Sequence, residues 1–549
     1  MQISKYFFGT RIFPHNFALV KKYNDMRGKF ILALTAWVML SCSKEGLSQG
    51  EDVRGGRRNV PHEMIVLGNR LENPYKTTNM AKALASVYPT KAGLVEVKPT
   101  DLYVRFLPAD KEEVRLLEKT GAVLIDHPLD YDILVEGDWY HDPEVPDGKM
   151  TWQYAVVPVG FEFPDIEYEI IHNCFIPDEA AMKSDGIDWE EVEREAYRLT
   201  GNEDRIAQSA YTKGGKIAPS GRITIVDDRA NGGKPVGLSG VRVSCNSFVR
   251  FAHTYTDRDG YYTMPKTFSA NLRYRLVFEN EKGFSIGLNL ILVPASVSTL
   301  GKGGPEGVSE TITSGSEVKL FRRAVVNNAA YDYISRCAYD DMNILPPPED
   351  LRIWIFHSAE ASSAVMAHHG AVVDGNFFSA ILGSFAPVVK HFLPDITIGA
   401  DDKSDYASIC STVYHELAHA SHFSSVGTDY WDRYVRHIAE SFIRTNGLMY
   451  GTGQESDAGY CEIGEMWAYY LESMMYKDRY GGSVPTFGSS YWFYPQIFRY
   501  VDDRGLDRSD IFSVLVPSVT SRAALKSALV RAFPHKRTVI EQVFGRYGN

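Results

Sequence analysis

Residues 407–423 constrain the fold of this chain more than any other stretch. They contain neither glycine nor proline, and the polar residues Ser404 and Asp405 precede them. A polar start followed by an uninterrupted run predicts a helix. Within it, His415 and His419 stand four residues apart. Residues at that spacing lie on one face of a helix, so the two imidazoles are expected to point to the same place.

A helical histidine pair of this kind predicts a bound zinc ion. Two imidazoles one turn apart can reach a single tetrahedral Zn2+, whose bonds to nitrogen are about 2.0–2.1 Å long. Glu416 follows the first histidine, so its carboxylate is expected beside the ion rather than on it. Such a carboxylate accepts a proton from zinc-activated water as that water attacks a carbonyl. We therefore predict Zn2+ as the cofactor, His415 and His419 as ligands, and Glu416 as the general base.

A second helix is predicted from residue 462 to residue 475. Its segment Glu-Met-Trp-Ala at 465–468 resembles the second zinc helix of the gluzincin metallopeptidases. In that family the glutamate binds zinc and the alanine allows close packing, which implies Glu465 as the third ligand. Glu462, one turn earlier, remains the alternative ligand, and Glu472 is expected to orient a ligand histidine. No histidine follows His419 at the metzincin spacing, which disfavours that class.

The oxyanion that forms when a peptide bond is attacked needs a hydrogen-bond donor, often a tyrosine or a histidine. Tyr460 and Tyr469 are candidates in and beside the second helix. His422, three residues after His419, is a further candidate. The sequence alone does not decide among the three.

Two short apolar runs, at 351–356 and 395–399, precede the histidine helix and are predicted to be strands. A strand followed by the histidine helix resembles the zincin peptidases. In that family one strand borders the cleft and pairs with an extended substrate. The resemblance implies that residues 311–549 form an α-rich, α+β, zincin-like peptidase domain. Its partners would be protein or peptide substrates, including glycoproteins.

Residues 216–310 show short alternating runs separated by Gly, Asp and Asn, which is typical of an all-β sandwich. The Gly-Val-Arg-Val motif at 240–243 and the Thr-Asp-Arg-Asp-Gly-Tyr segment at 256–261 resemble the carboxypeptidase-regulatory-like module. Such modules are usually accessory to a catalytic domain. We predict a hairpin turn at 256–262, because the ligand spacing of a calcium-binding loop is absent.

Residues 95–215 mix helix and strand patterns. Alternation at 102–106 predicts a strand, and the acidic amphipathic run at 188–199 predicts a helix. No residue in this range indicates a chemistry, so we predict an α+β domain of unknown role. The fold class expected for the chain is multidomain, with this α+β domain followed by the all-β sandwich and the α-rich catalytic domain.

The first 42 residues have the layout of a secretory signal. A positive start at 26–29 precedes an apolar run at 30–40, which is too short to cross a bilayer as a helix. Cys42 follows and resembles the lipidated cysteine of bacterial lipoproteins. We therefore expect a lipid anchor at Cys42 in the outer membrane, with a tether and linker over 43–94. Met1 and Met26 both remain possible starts.

Charge and cysteine content narrow the possible functions. The net charge of −11 argues against broad nucleic-acid binding, which needs a basic surface. Five cysteines follow Cys42 without regular spacing, so no disulfide framework is expected. We predict a zinc peptidase that acts on extracellular or periplasmic protein and meets the membrane only through its lipid. The alternatives are a surface protein that binds glycan or protein through a degenerate or structural zinc site, and an amidase acting on peptidoglycan stems or glycopeptides.

Overall fold

The computed structural model describes residues 62–90, 92–109, 111–146, 149–177, 186–207, 217–287, 295–338, 342–356, 362–371, 394–400, 404–445, 450–482 and 491–547. Cys42, the signal segment and the first part of the tether lie outside these residues, so the lipid anchor stays a prediction. Within the described ranges, every helix is too short or too polar to cross a membrane.

The N-terminal part mixes helices with small sheets. Its elements are β1 His62–Met64, β2 Val66–Arg70, α1 Thr77–Val87, β3 Asp101–Phe106, α2 Lys111–Lys119, β4 Tyr131–Val135, β5 Gly137–Trp139, β6 Gln153–Pro158, β7 Tyr168–Cys174 and α3 Trp189–Leu199. Strand β3 lies between β6 and β7 and is antiparallel to both. The strand predicted at 102–106 and the helix predicted at 188–199 are confirmed as β3 and α3. Asp188 caps α3 by accepting hydrogen bonds from the backbone N–H groups of Glu190 and Glu191.

Regular structure begins inside the predicted linker. Residues 62–87, assigned to the tether and linker over 43–94, form β1, β2 and α1. The buried face of α1, with Met80 and Leu84, packs with Trp189 and Val192 of α3. The linker prediction is wrong for this stretch. Helix α1 is short, and Trp189 and Val192, which share its core, lie on a helix far along the chain.

The middle of the chain contributes strands to two sheets. These strands are β8 Ser220–Ile225, β9 Val236–Gly237, β10 Val241–Ser247, β11 Arg250–Tyr255, β12 Tyr261–Thr263, β13 Leu272–Asn280, β14 Phe284–Ile286, β15 Val297–Gly303 and β16 Glu310–Ile312. In the described residues, β8, β9, β12 and β16 form the smaller sheet, and the other five belong to a larger one. Ile223 of the smaller sheet and Val243 and Leu276 of the larger sheet share one core, as in a sandwich.

The segment 256–262 is a turn, but it is not the predicted hairpin. Strand β11 before it belongs to the larger sheet, whereas β12 after it pairs with β8 in the smaller sheet. Asp257 Oδ1 accepts the backbone N–H groups of Asp259 and Tyr261 at 2.9 Å each. Gly260 takes a positive φ of 84°, which glycine adopts without strain. The turn therefore carries the chain from one sheet to the other.

The C-terminal part is rich in helices, as predicted. Its elements are α4 Val318–Cys337, β17 Leu351–Phe356, β18 Ser363–Ala364, β19 Ile396–Gly399, α5 Tyr406–Val426, α6 Thr428–Thr445, α7 Ala458–Tyr480, α8 Gln496–Asp502, α9 Arg508–Ser513, α10 Arg522–Ala532 and α11 Arg537–Phe544. The strands predicted at 351–356 and 395–399 are β17 and β19, and the two predicted helices are α5 and α7. The described cysteines are all buried and free of disulfides, as expected: Cys174, Cys245, Cys337, Cys410 and Cys461.

The β-rich part at 217–312 and the helical part after it share a sheet across the boundary predicted at residue 310. Strand β14 pairs in parallel with β17, which places Phe284 opposite Leu351 and Ile286 opposite Ile353. Strand β17 then pairs in parallel with β19, and β18 lies antiparallel to β19. Among the described residues the larger sheet has the order β11-β10-β13-β14-β17-β19-β18, with β15 also paired to β13. The fold is thus mixed α/β with several sheets, and residue 310 separates neither sheets nor cores.

Helix α5 is held firmly at both ends and along its length. Asp405 caps its start by accepting the backbone N–H of Ser408 at 2.9 Å. Gly427 ends it with a φ of 77°, a conformation that favours glycine. Helix α7 packs alongside, and Trp467 Nε1 of α7 donates to the backbone oxygen of Ala418 at 3.1 Å. These contacts fix how the faces of α5 and α7 meet.

Candidate metal centre

His415 and His419 lie one turn apart on α5 and point at the same place. Their Nε2 atoms are 3.2 Å apart. His419 is 2% exposed, whereas the side chain of His415 is 12% exposed. One side of the pair is therefore reachable from solvent.

Glu465 of α7 completes the cluster. Its Oε2 lies 3.5 Å from His415 Nε2, and its Oε1 lies 3.5 Å from His419 Nε2. A tetrahedral ion with bonds of about 2.0–2.1 Å holds its ligand atoms about 3.3–3.4 Å apart. The separation of the two histidine nitrogens, and the separation of each from one of the two Glu465 oxygens, lie on either side of that value. The three residues can therefore hold an ion of zinc's size after a small adjustment of the carboxylate. In the described part of the chain, no other group of three or more His, Cys, Asp or Glu side chains has this arrangement.

Glu462, the alternative third ligand, makes a different contact. Its Oε1 accepts hydrogen bonds from Arg522 of α10, from Nε at 2.7 Å and from Nη2. Both side chains are largely buried, with 8% exposure for Glu462 and 18% for Arg522. Glu462 therefore ties α7 to α10, while Glu465 is the glutamate that the structure brings to the histidine pair.

Glu472 occupies the orienting position that the sequence predicted. Its Oε2 lies 3.1 Å from His415 Nδ1, and Ser411 Oγ donates to its Oε1 at 2.6 Å. A carboxylate beside Nδ1 keeps the proton on that nitrogen. The lone pair of His415 Nε2 is then left for a metal ion.

Glu416 lies buried in α5, with 5% exposure. Its Oε2 has no hydrogen-bond partner within the described ranges. Burial raises the pKa of Glu416 to about 8; His415 opposes that shift, and Glu465 and Glu472 add to it. A carboxyl group whose pKa lies near neutrality can both accept and return a proton.

The charges of the cluster are strongly coupled. Burial lowers the pKa of His415, but the neighbouring carboxylates of Glu465 and Glu472 raise it well above its usual range. Burial raises the pKa of Glu465, but His419 and His415 bring it below its usual range. The pKa of His419 itself is lowered by burial. These shifts favour a charged Glu465 beside a protonated His415, and a metal ion would compete with that proton for the lone pair of His415 Nε2.

Tyr434 of α6 touches the cluster and was not predicted. Its hydroxyl donates to Glu465 Oε1 at 2.6 Å, and its ring centroid lies 5.5 Å from that of His419. No element was predicted between the two helices that carry the ligands. The sequence does indicate a helix here, because residues 428–445 follow Gly427 and contain neither glycine nor proline. Such a run predicts a helix, although it does not predict where that helix packs.

The two tyrosines predicted as oxyanion donors lie in different places. The ring of Tyr469 stands edge-on to His415, with centroids 4.5 Å apart, and its hydroxyl lies 3.5 Å from that of Tyr450. Tyr460 packs instead on Tyr430, at 4.7 Å between centroids. The structure therefore brings Tyr469, rather than Tyr460, to the edge of the cluster.

His422 is enclosed by aromatic rings in the core. It is 0% exposed, and its ring centroid lies 5.3 Å from Tyr430 and 5.8 Å from Trp431. Neither ring nitrogen has a hydrogen-bond partner among the described residues. Burial, with repulsion from His419, lowers the pKa of His422 to about 3.

We expect His422→Phe to weaken the pH dependence of stability between pH 7 and pH 5. The folded protein keeps His422 neutral down to about pH 3, whereas the unfolded chain protonates it near pH 6.5. The unfolded state then binds more protons, so the free energy of unfolding falls as the pH falls. This group contributes at most about 1.4 kcal/mol per pH unit. Urea unfolding at several pH values measures the slope.

The control for this variant is His535→Phe, since His535 is exposed. Its slope should equal that of the wild type. At pH 7 the loss of an unpaired buried imidazole should leave stability unchanged or slightly higher. Equal slopes for His422→Phe and the wild type would contradict the burial of a neutral imidazole.

Comparison with protein-family models, with curated proteins and with solved structures finds no match to this chain. The candidate site therefore rests on geometry: three buried or largely buried side chains from two helices, with ligand atoms within 4.8 Å of one another. Imidazole nitrogen and carboxylate oxygen are ligand types that zinc uses in proteins. The residues present fit such an ion.

Proposed function

We propose that this chain is a zinc-dependent peptidase that hydrolyses peptide bonds in proteins outside the cytoplasm. One observation carries the proposal. The ligand atoms of His415, His419 and Glu465 lie within 4.8 Å of one another, and the residue after His415 is a buried acid with an oxygen that has no hydrogen-bond partner among the described residues. Catalytic zinc sites combine three protein ligands with an open position, whereas structural sites are closed by four.

Each residue of the site has a role in this proposal. His415, His419 and Glu465 would hold Zn2+, which would supply Lewis acidity and a nucleophilic water near neutral pH. Glu416 Oε2 takes a proton from the attacking water and passes it to the leaving amine. Glu472 holds His415 in the tautomer that presents Nε2. Tyr469, whose ring borders His415, is the proposed donor to the oxyanion.

The choice of a peptide substrate rests on the sheet edge beside α6. Strand β18 is the last strand of the larger sheet in the described residues and is antiparallel to β19. Trp431 Nε1 donates to the backbone oxygen of Ala364 at 2.9 Å, which ties β18 to the helix that carries Tyr434. A strand at a sheet edge can pair with an extended peptide through those backbone groups that its own neighbours leave free. The proposed substrate is therefore an extended polypeptide segment, glycosylated or not.

Metal removal tests the proposal. Protein prepared with zinc is expected to hold about one zinc ion per chain. It should cleave labelled casein or members of a peptide library. Phenanthroline should abolish cleavage, and added zinc should restore it, because the activity depends on the ion. Elemental analysis and the release of labelled fragments measure the two quantities.

A non-chelating isomer of phenanthroline serves as the control and should leave cleavage unchanged. Cleavage at full rate by zinc-free protein would exclude the proposed chemistry. Zinc-loaded protein that cleaves no peptide would favour the alternative of a binding protein with a structural metal.

A further inference from the structure

A short hydrogen bond joins Tyr434 of α6 to Glu465 of the candidate metal cluster. The tyrosine hydroxyl donates to Glu465 Oε1 at 2.6 Å. Tyr434 is 7% exposed and Glu465 is 1% exposed, so water competes little for this hydrogen bond. A buried hydrogen bond to a carboxylate is among the stronger ones in proteins.

The Tyr434 hydroxyl makes the two carboxylate oxygens of Glu465 different, although each oxygen lies at the same distance from one of the two histidines. Oε2 lies 3.5 Å from His415 Nε2, and Oε1 lies 3.5 Å from His419 Nε2. Oε1 accepts the tyrosine hydroxyl, while Oε2 has no hydrogen-bond partner within the described ranges. We infer that Tyr434 is a positioning residue that makes Glu465 a one-oxygen metal ligand, through Oε2, and so keeps a coordination position open. The inference rests on the proposed zinc site.

Aromatic packing fixes the place of the Tyr434 ring. It stacks on Trp431 with centroids 4.6 Å apart and an angle of 29° between the planes. Trp431 is 0% exposed and is tied to β18 through the backbone oxygen of Ala364. The position of the hydroxyl is therefore set by the strand edge as well as by α6.

Gly464 leaves the room that Tyr434 needs. A methyl group at this position would lie 3.2 Å from Cε2 of Tyr434 and 3.9 Å from Cε1 of His419. The first distance is too short for relaxed contact between carbon atoms, so the tyrosine ring would have to shift. An alanine at position 464 would therefore displace the Tyr434 ring by a few tenths of an ångström and disturb its hydrogen bond to Oε1.

Tyr434→Phe tests the inference because it removes one oxygen and keeps the ring. We expect its zinc dissociation constant to rise about 10–100-fold, the usual effect of losing a group that supports a metal ligand. Zinc-edge X-ray absorption should show one additional oxygen neighbour, because both oxygens of Glu465 become free to bind. Affinity is measured by competition with a chromophoric chelator, and the stability of the metal-free protein by urea unfolding.

Tyr430→Phe is the matched control on the same helix. Tyr430 is 3% exposed, and its hydroxyl donates to the backbone oxygen of Val519 at 3.3 Å. This variant should bind zinc as the wild type does. Gly464→Ala is the second variant, and it should weaken zinc binding in the same direction as Tyr434→Phe. If Tyr434→Phe folds poorly, the zinc affinity of Gly464→Ala tests the inference instead.

The outcomes separate this inference from the proposed function. Unchanged affinity and an unchanged zinc-edge spectrum in Tyr434→Phe and Gly464→Ala would overturn the inference, whether or not the wild type cleaves peptides. Weakened zinc binding in both, with wild-type binding in Tyr430→Phe, supports it. If the zinc-loaded wild type then cleaves no peptide, the peptidase proposal fails while the role of Tyr434 at the metal stands.

Discussion

Glu416→Gln is expected to lower the rate of peptide hydrolysis by about 10²–10⁴-fold, the usual contribution of general acid–base catalysis. The amide keeps the size of the carboxylate but cannot accept the proton of the attacking water. Zinc content should stay at the wild-type level, because Glu416 is not one of the three clustered ligands. Steady-state kinetics on a quenched fluorescent peptide, together with elemental analysis, measure both quantities.

Glu440→Gln is the control for this substitution. Glu440 is exposed on α6, so its variant should cleave at the wild-type rate. The role of Glu416 as base is contradicted if Glu416→Gln is as fast as the wild type. It is equally contradicted if the rate falls only in proportion to lost zinc, because the residue would then serve metal binding.

Glu465→Ala and Glu462→Ala are expected to separate metal binding from packing. Loss of Glu465 removes a ligand, so zinc affinity should fall more than about 100-fold, beyond the effect of losing a supporting group. Loss of Glu462 leaves the three proposed zinc ligands in place but removes the carboxylate partner of Arg522. The free energy of unfolding should then fall by about 1–3 kcal/mol. Chelator competition and urea unfolding measure the two effects.

The opposite pattern would identify Glu462 as the ligand. Zinc would then be lost in Glu462→Ala and kept in Glu465→Ala. That result would require α7 to be rotated about its axis from the arrangement in which Trp467 meets Ala418. The same pair of variants therefore also tests how α7 packs on α5.

The sequence predicts those parts of the site that depend on the spacing of residues within a single helix. The spacing of His415 and His419 follows from helical geometry alone. Glu465 and Glu472 share a face because they are two turns apart. The choice between Glu462 and Glu465 also needed the packing of α7, which turns Glu462 towards Arg522.

The remainder depends on contacts between distant segments, which local patterns do not encode. Tyr434 reaches Glu465 because α6 folds back over α5. The turn at 256–262 has the residues of a hairpin, but β12 takes β8 as its partner rather than β11. Strand partners are chosen by packing across the whole sheet, which is why the same local sequence suits either pairing.

The pairing of β14 with β17 means that the β-rich part at 217–312 is not a separable module. A module on a flexible linker can be lost or exchanged during evolution without harm to its neighbour. Here a break after residue 310 would strip β17 of β14 and expose a row of backbone N–H and C=O groups. Strand edges of that kind recruit other chains, so the separated half would be prone to aggregate. We therefore expect the two halves to be kept or lost together, because one sheet runs through both.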